Sequence, residues 1–388
     1  MLKKISTISD WIVFISLCLL IFCLPFSKAA IESFFGLGCF FWIVKKFCKR
    51  EYKIYPSELN KPLALFVIIN FISVILSENL SLSIKGFIGK LLEYIIIYIM
   101  VIETINSKKR LRIMGIVILA SVVMILTDGL TQYIRGIDFL RGYPLSDTNK
   151  LRASFITRND FGIWLAIILN FCLSLVLFGK IKLMSLRIAT FTLIALLSIS
   201  FILTYSRGAW FSFAIGILFM SLFLAFKKRL YLLGTVIIII FISLYTVNID
   251  SASTFQRINL WKEALMIIGD FPIFGTGLNT YTIVAPKYAL TAETGIYAHN
   301  CYLQMAAETG IAGLFSFFWL LVVLFESKIK YLHSYKDPAL LGILAGIIVF
   351  LTHNFIDVGL YSLQFAALFW FMLGMAVAIT KLEPVSNK

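Results

Sequence analysis

Apolar runs of about twenty residues recur along this chain, and that recurrence decides the solvent in which it folds. They lie near residues 8–26, 29–44, 62–77, 86–105, 113–134, 161–179, 187–205, 209–226, 230–247, 309–326, 338–354 and 361–380. A bilayer core about 30 Å thick needs about 20 apolar residues per crossing helix, so the expected fold is an all-α integral membrane protein with about twelve transmembrane helices. Only 14% of the 388 residues are charged, where soluble domains carry about one quarter. The first run reads as a span rather than a cleaved signal, because no small-residue cleavage site follows Pro25 and a second run begins at once.

Orientation follows from the basic residues. Clusters at residues 3–4, 45–53, 107–112, 179–187, 227–229 and 327–336 occupy every second connector, and Lys381 and Lys388 follow the last run. The positive-inside rule makes that side cytoplasmic, with both termini inside. The net charge of +15 is therefore mostly a topology signal, and no nucleic-acid partner is expected. Arg135, Arg141, Lys150, Arg152, Arg158, Arg207, Arg257, Lys262 and Lys287 fall on the outer side, against the rule. Each alone fits a solvated or snorkelling side chain; together they invite an anionic partner on that face. The six cysteines form no framework, and no CxxC or HxxxH spacing points to bound zinc. Membrane lipids surround a single polytopic domain, residues 1–388, without a fixed-period repeat.

One long polar segment, residues 248–308, interrupts the pattern between the ninth and tenth runs, and it falls outside. Phe255, Ile258, Trp261, Leu265 and Ile268 recur at three- and four-residue spacing, predicting an amphipathic helix on the membrane surface or against the bundle. Gly269, Asp270 and Pro272 stop it. Phe274-Gly275-Thr276-Gly277-Leu278 reads as a tight turn whose glycines let backbone approach something closely. A second helix is expected over 297–309, with His299 in its first turn and Glu308 on the opposite face, fixing structure.

Three outer residues can carry chemistry. Arg207, in Tyr205-Ser206-Arg207-Gly208, is held at the membrane boundary by a span on either side. Arg257 opens the amphipathic helix, where a cation opposes the helix dipole. His299 is the only histidine of the long loop, and a lone histidine serves structure or catalysis. Arginine forks pair phosphate oxygens, and histidine takes a proton near neutrality. Transfer from a pyrophosphate-linked lipid suits this set, without a metal, cofactor or ATP loop. Glu93, Asp128 and Asp357 are costly in or near lipid and read as structural pairs or interfacial groups, while His353-Asn354 ends a span near the same face.

The run His299-Asn300-Cys301-Tyr302-Leu303, followed by Glu308-Thr309-Gly310 and Gly313-Leu314, resembles the signature of the O-antigen ligase and polymerase superfamily. Arg257 with Trp261, Pro272 to Gly277, Leu151 to Phe155 with Arg158-Asn159, and Thr204 to Gly208 are similar to its other motifs. The resemblance implies a multi-pass glycosyltransferase of the Gram-negative inner membrane, with a GT-C-like helical fold and a large periplasmic loop. It implies transfer of O-antigen polysaccharide from undecaprenyl pyrophosphate to lipid A-core, metal-independent and inverting. Arg207 and Arg257 match the arginines that hold the donor pyrophosphate, and His299 the histidine that activates the acceptor. Arg152 and Arg158 are weaker matches, to substrate phosphates. The compact chain and single dominant loop favour a ligase over a polymerase, and a lipid-linked oligosaccharide flippase stands third.

Overall fold

The computed structural model describes residues 1–145, 149–179, 182–225, 251–290 and 297–382, with Arg229 and Gly234. Those residues form helices and loops, with no strand beyond an isolated bridge between Ile137 and Pro144. The helices are α1 (Leu2–Cys23), α2 (Lys28–Lys49), α3 (Asn60–Ile75), α4 (Leu80–Gly86), α5 (Glu93–Thr104), α6 (Lys108–Arg135), α7 (Arg158–Phe178), α8 (Met184–Leu203), α9 (Arg207–Ser221), α10 (Ser251–Asp270), α11 (Tyr281–Val284), α12 (Cys301–Tyr335), α13 (Pro338–His353) and α14 (Leu363–Leu382). A π-helical turn, Phe87–Leu92, joins α4 to α5.

Six helices, α1, α6, α7, α8, α12 and α14, are long and apolar enough to cross a membrane. The apolar helices α3, α9 and α13 have 16, 15 and 16 residues, which at 1.5 Å per residue rise about 22–24 Å, short of a full bilayer core. Helix α2 and the pair α4–α5 occupy two more expected spans, and the expected span 230–247 lies outside the described residues. An α-helical membrane protein therefore stands, while six spans rather than twelve reach full crossing length among the described residues.

Helix α14 is the axis. Nearly all of it is buried, against α5 on one side and α13 on another. Phe350 and Phe365 stack, Phe369 meets Phe317, and Trp370 lies against Tyr98 and Phe66. Lipid tails are as apolar as these rings, so packing and not transfer from water holds such helices together. Small residues permit the approach: Gly346 of α13 sits on Ile167 of α7, with Gly342 on Phe171 and Ser174 beside it. By contrast α8 leaves Ile188, Phe191, Ile199 and Ile202 uncovered, a surface suited to lipid.

The bundle has two chemically different ends. At one, the basic connectors are neutralised internally: Lys45 and Arg110 share Asp10, Lys46 meets Glu103 at 2.6 Å, and Lys328 pairs with Glu58. At the other, the long loop and the shorter connectors are tied together by backbone bonds. Leu151 donates to Leu203, Glu78 to Thr276 and Cys301 to Asn354, and Arg141 reaches the Phe26 carbonyl.

Candidate active site

The long loop builds a small core of its own. Leu260, Ala264 and Ile267 of α10 are buried, and Ala264 and Ile267 pack with Tyr281, Val284, Ala285, Ala298 and Ala307. Most of the expected apolar stripe of α10 faces away from this packing, although Ile268 lies against it. Phe255, Ile258 and Leu265 lie exposed on the opposite face, beside Lys262, where they suit a membrane surface. An apolar stripe in the sequence locates an apolar neighbour, and lipid qualifies as readily as protein.

The glycine turn docks onto a break in α12. Gly310 has φ 69° and ψ 179°, so the helix is interrupted there, not continuous. Across the gap Ile311 donates to Pro272 O at 2.8 Å and Ala312 to Ile273 O at 3.2 Å. Gly277 donates to Glu308 O at 2.9 Å, and Thr276 to Ala307 O at 3.0 Å. The buried Glu308 carboxylate then accepts from the amides of Asn279 (2.9 Å) and Tyr281 (3.1 Å), which anchors the residues following the turn. Glu308 thereby fixes this crossing.

His299 lies outside the second helix, contrary to expectation. Asn300 is the N-cap, its side chain accepting from Tyr302 and Leu303, and α12 starts at Cys301. That cap forces a turn before it. His299 takes φ 48°, a left-handed conformation uncommon outside glycine, between buried Ala298 and buried Asn300. Asp357 and Arg257 both act on its ring electrostatically. Burial pushes the imidazole below its ordinary pKa of 6.5, Asp357 opposes that, and Arg257 adds to it. The ring is therefore neutral at pH 7.

Asp357 joins two histidines. Its carboxylate lies 3.5 Å from Nε2 of His353, and its carbonyl accepts from Cys301 N at 3.2 Å, at the head of α12. Burial opposes ionisation of Asp357, but the His353 contact outweighs it and holds the carboxyl below the usual carboxylate range. His353 in turn packs against Gly208, the residue after Arg207.

Arg207 opens α9 and is exposed at the rim. Arg158, at the head of α7, donates from Nη1 to Tyr205 O at 2.8 Å and so lies against the same turn. Arg207 also acts electrostatically on Arg158, and both act on Lys150, whose pKa burial and the two guanidiniums lower. Among the described residues Arg158, Arg207 and Arg257 form no ion pair, unlike the buried cations at the opposite end. Arg152 does not join them: Nη1 and Nη2 bond to Ile156 O and Pro144 O, and the guanidinium covers the Tyr143 ring, so it braces its own loop. Among the described residues no cluster of His, Cys, Asp or Glu could hold a metal ion.

Contacts thus run from Arg158 and the Arg207 turn through His353 to Asp357, and Asp357 and Arg257 act electrostatically on His299. Residues 192–318 match the family model described as O-antigen ligase. The match runs from within α8 to within α12 and contains Arg207, Arg257 and His299, so the resemblance to that superfamily stands. No curated protein matches the chain. Arg158, His353 and Asp357 lie outside the matched residues, supplied by α7, the end of α13 and the α13–α14 connector. Asp357 reads in the sequence as an interfacial acid; its value as a link between histidines needs the fold. Lys90, a charge inside the apolar run 86–105, escaped notice, although that position was its signal.

Proposed function

We propose that the chain is an O-antigen ligase. In this reading it is a GT-C-like, twelve-span enzyme of the Gram-negative inner membrane, with cytoplasmic termini, a large periplasmic loop at residues 248–308 and a periplasmic active site. The donor is undecaprenyl-pyrophosphate-linked O-antigen, and the acceptor is a sugar hydroxyl of lipid A-core. The carrying observation is that Arg158 and Arg207, which act on one another, and Arg257, which acts on His299, form no ion pair among the described residues.

The chemistry follows from the charges. Neutral His299 accepts the proton of the acceptor hydroxyl as its oxygen attacks the donor's anomeric carbon. The bond from that carbon to the pyrophosphate oxygen breaks, and undecaprenyl pyrophosphate leaves with the bonding pair. Arg207 and Arg257, with Arg158 beside them, stabilise the charge that develops on the leaving group. Attack opposite the leaving group inverts the anomeric centre. Asp357 stabilises the imidazolium until its proton passes to solvent.

Reconstitution with lipid-linked glycan and lipid A-core, EDTA present, should yield the coupled product. No product overturns the ligase reading, and a strict metal requirement overturns the mechanism. With donor alone the chain should leave the glycan length unchanged; extension on the lipid would make it a polymerase, and transbilayer movement without linkage change a flippase. Arg207→Lys should lower transfer roughly 10- to 100-fold, because an ammonium loses one of two paired charged contacts worth about 1.5–3 kcal/mol.

A further inference from the structure

A chamber of about 340 Å³ lies beside the segment before His299, walled by α2, the π-helical turn and the start of α5. Its walls include Lys28, Glu32, Lys90, Tyr94, Tyr297 and Tyr361. Tyr297 stands two residues before His299, and Val358, which follows Asp357, also lines it. Through Tyr297 and Val358 the chamber thus adjoins the chain segments that carry the two residues that would activate the acceptor, while Arg158 and Arg207 sit at the heads of α7 and α9. Its volume falls in the range of about 300–1,000 Å³ typical of small-molecule sites.

Lys90 is placed there by an irregularity. The π-helical turn Phe87–Leu92 between α4 and α5 carries it, and such turns gather at functional sites. Its ammonium bonds to Asn279 Oδ1 at 2.7 Å, which ties the chamber to the loop anchored by Glu308. A second cavity shares Lys90, Tyr94 and Tyr361 with the chamber but is mostly apolar, with Phe66, Leu91 and Trp370 in its wall, and holds only about 70 Å³. That space is too small for a sugar ring, so a ligand meets Lys90 from the chamber side. Two ammoniums against one carboxylate leave the wall net positive, and three tyrosines offer ring faces with hydroxyls.

We infer that this chamber binds the acceptor, as a saccharide bearing a phosphate recognised by Lys90 and Lys28 and stacked on the tyrosines. The inference rests on the glycosyl-transfer reading and deepens it: donor and acceptor approach His299 from different sides.

The test is saturation-transfer NMR on the full chain in nanodiscs, with phosphorylated core oligosaccharide freed of its lipid and the same oligosaccharide after phosphatase. Phosphatase should weaken binding at least tenfold. Lys28→Glu, on an exposed side chain that leaves the fold intact, should do the same, as should Lys90→Gln, with Lys90→Arg retaining most affinity. In transfer assays the acceptor KM should rise in parallel while the donor KM stays fixed. Equal binding of the two oligosaccharides, or unchanged binding in Lys28→Glu, overturns the proposal. Lysine-dependent binding by a chain that couples no product would overturn the transfer reading and leave the chamber standing.

Discussion

His299→Ala should lower kcat by about 10²- to 10⁴-fold, the usual contribution of a positioned base, and leave donor affinity near its original value. The pH profile separates catalysis from mere support. A base works deprotonated, and His299 is held below 6.5 by burial and Arg257. In the native chain kcat/KM should therefore rise with pH through a limb below 6.5 and be level at pH 7. The alanine variant should lack that limb. Two neighbours should move it in opposite directions. Arg257→Ala removes a repelling cation, so the His299 pKa rises and the limb shifts to higher pH; the same change removes a donor-pyrophosphate contact and raises the donor KM. Asp357→Asn removes a stabilising anion, so the limb shifts to lower pH. Stopped-flow or radiolabel transfer between pH 4.5 and 8 reads all three. A limb that survives in His299→Ala would assign the proton to another group.

How much of this was legible beforehand differs by scale. The α-helical membrane class was, because a crossing helix must present about 20 apolar residues to lipid, a condition met within one run; the count was not, since six helices reach that length among the described residues. The Gly275 and Gly277 turn was also legible, since two glycines in three residues mark close backbone approach. What the turn approaches was not: Gly310 lies 35 residues after Gly275 in a run apolar enough to read as unbroken helix. The start of α12 was misread for a local reason. Asn300 competes for the amides of Tyr302 and Leu303, so the helix begins after it and His299 is expelled into a left-handed turn. Asn300 in that position was the available signal. The meeting of the His353–Asp357 pair with Gly208 was beyond reach, because it brings the end of α13 and its connector against the start of α9, far away in the sequence.

Gly310→Ala should undo the site without touching any charged residue. With φ 69° and ψ 179° Gly310 occupies a region essentially reserved for glycine, which costs other residues about 1–3 kcal/mol. The steric effect adds to that. A methyl group at Gly310 would run into the carbonyl of Ile273 and the amide nitrogen of Phe274, which are backbone atoms with no rotamer to yield. The bonds from Ile311 to Pro272 and from Ala312 to Ile273 would then open, along with the anchoring of Asn279 and Tyr281 on Glu308. Arg257 lies on the helix that enters the segment this crossing closes and His299 lies within that segment, so their relative position depends on it. Transfer should fall to background, and the loop should be cut by added protease at far lower doses than in the native chain. Gly269→Ala supplies the matched control. That glycine lies in the last turn of α10 with open space where a methyl group would go, so activity and protease resistance should both persist. If Gly310→Ala stays active and resistant, the crossing of turn and broken helix does not hold the site together, and the rim must be maintained by the Asp357 contacts alone.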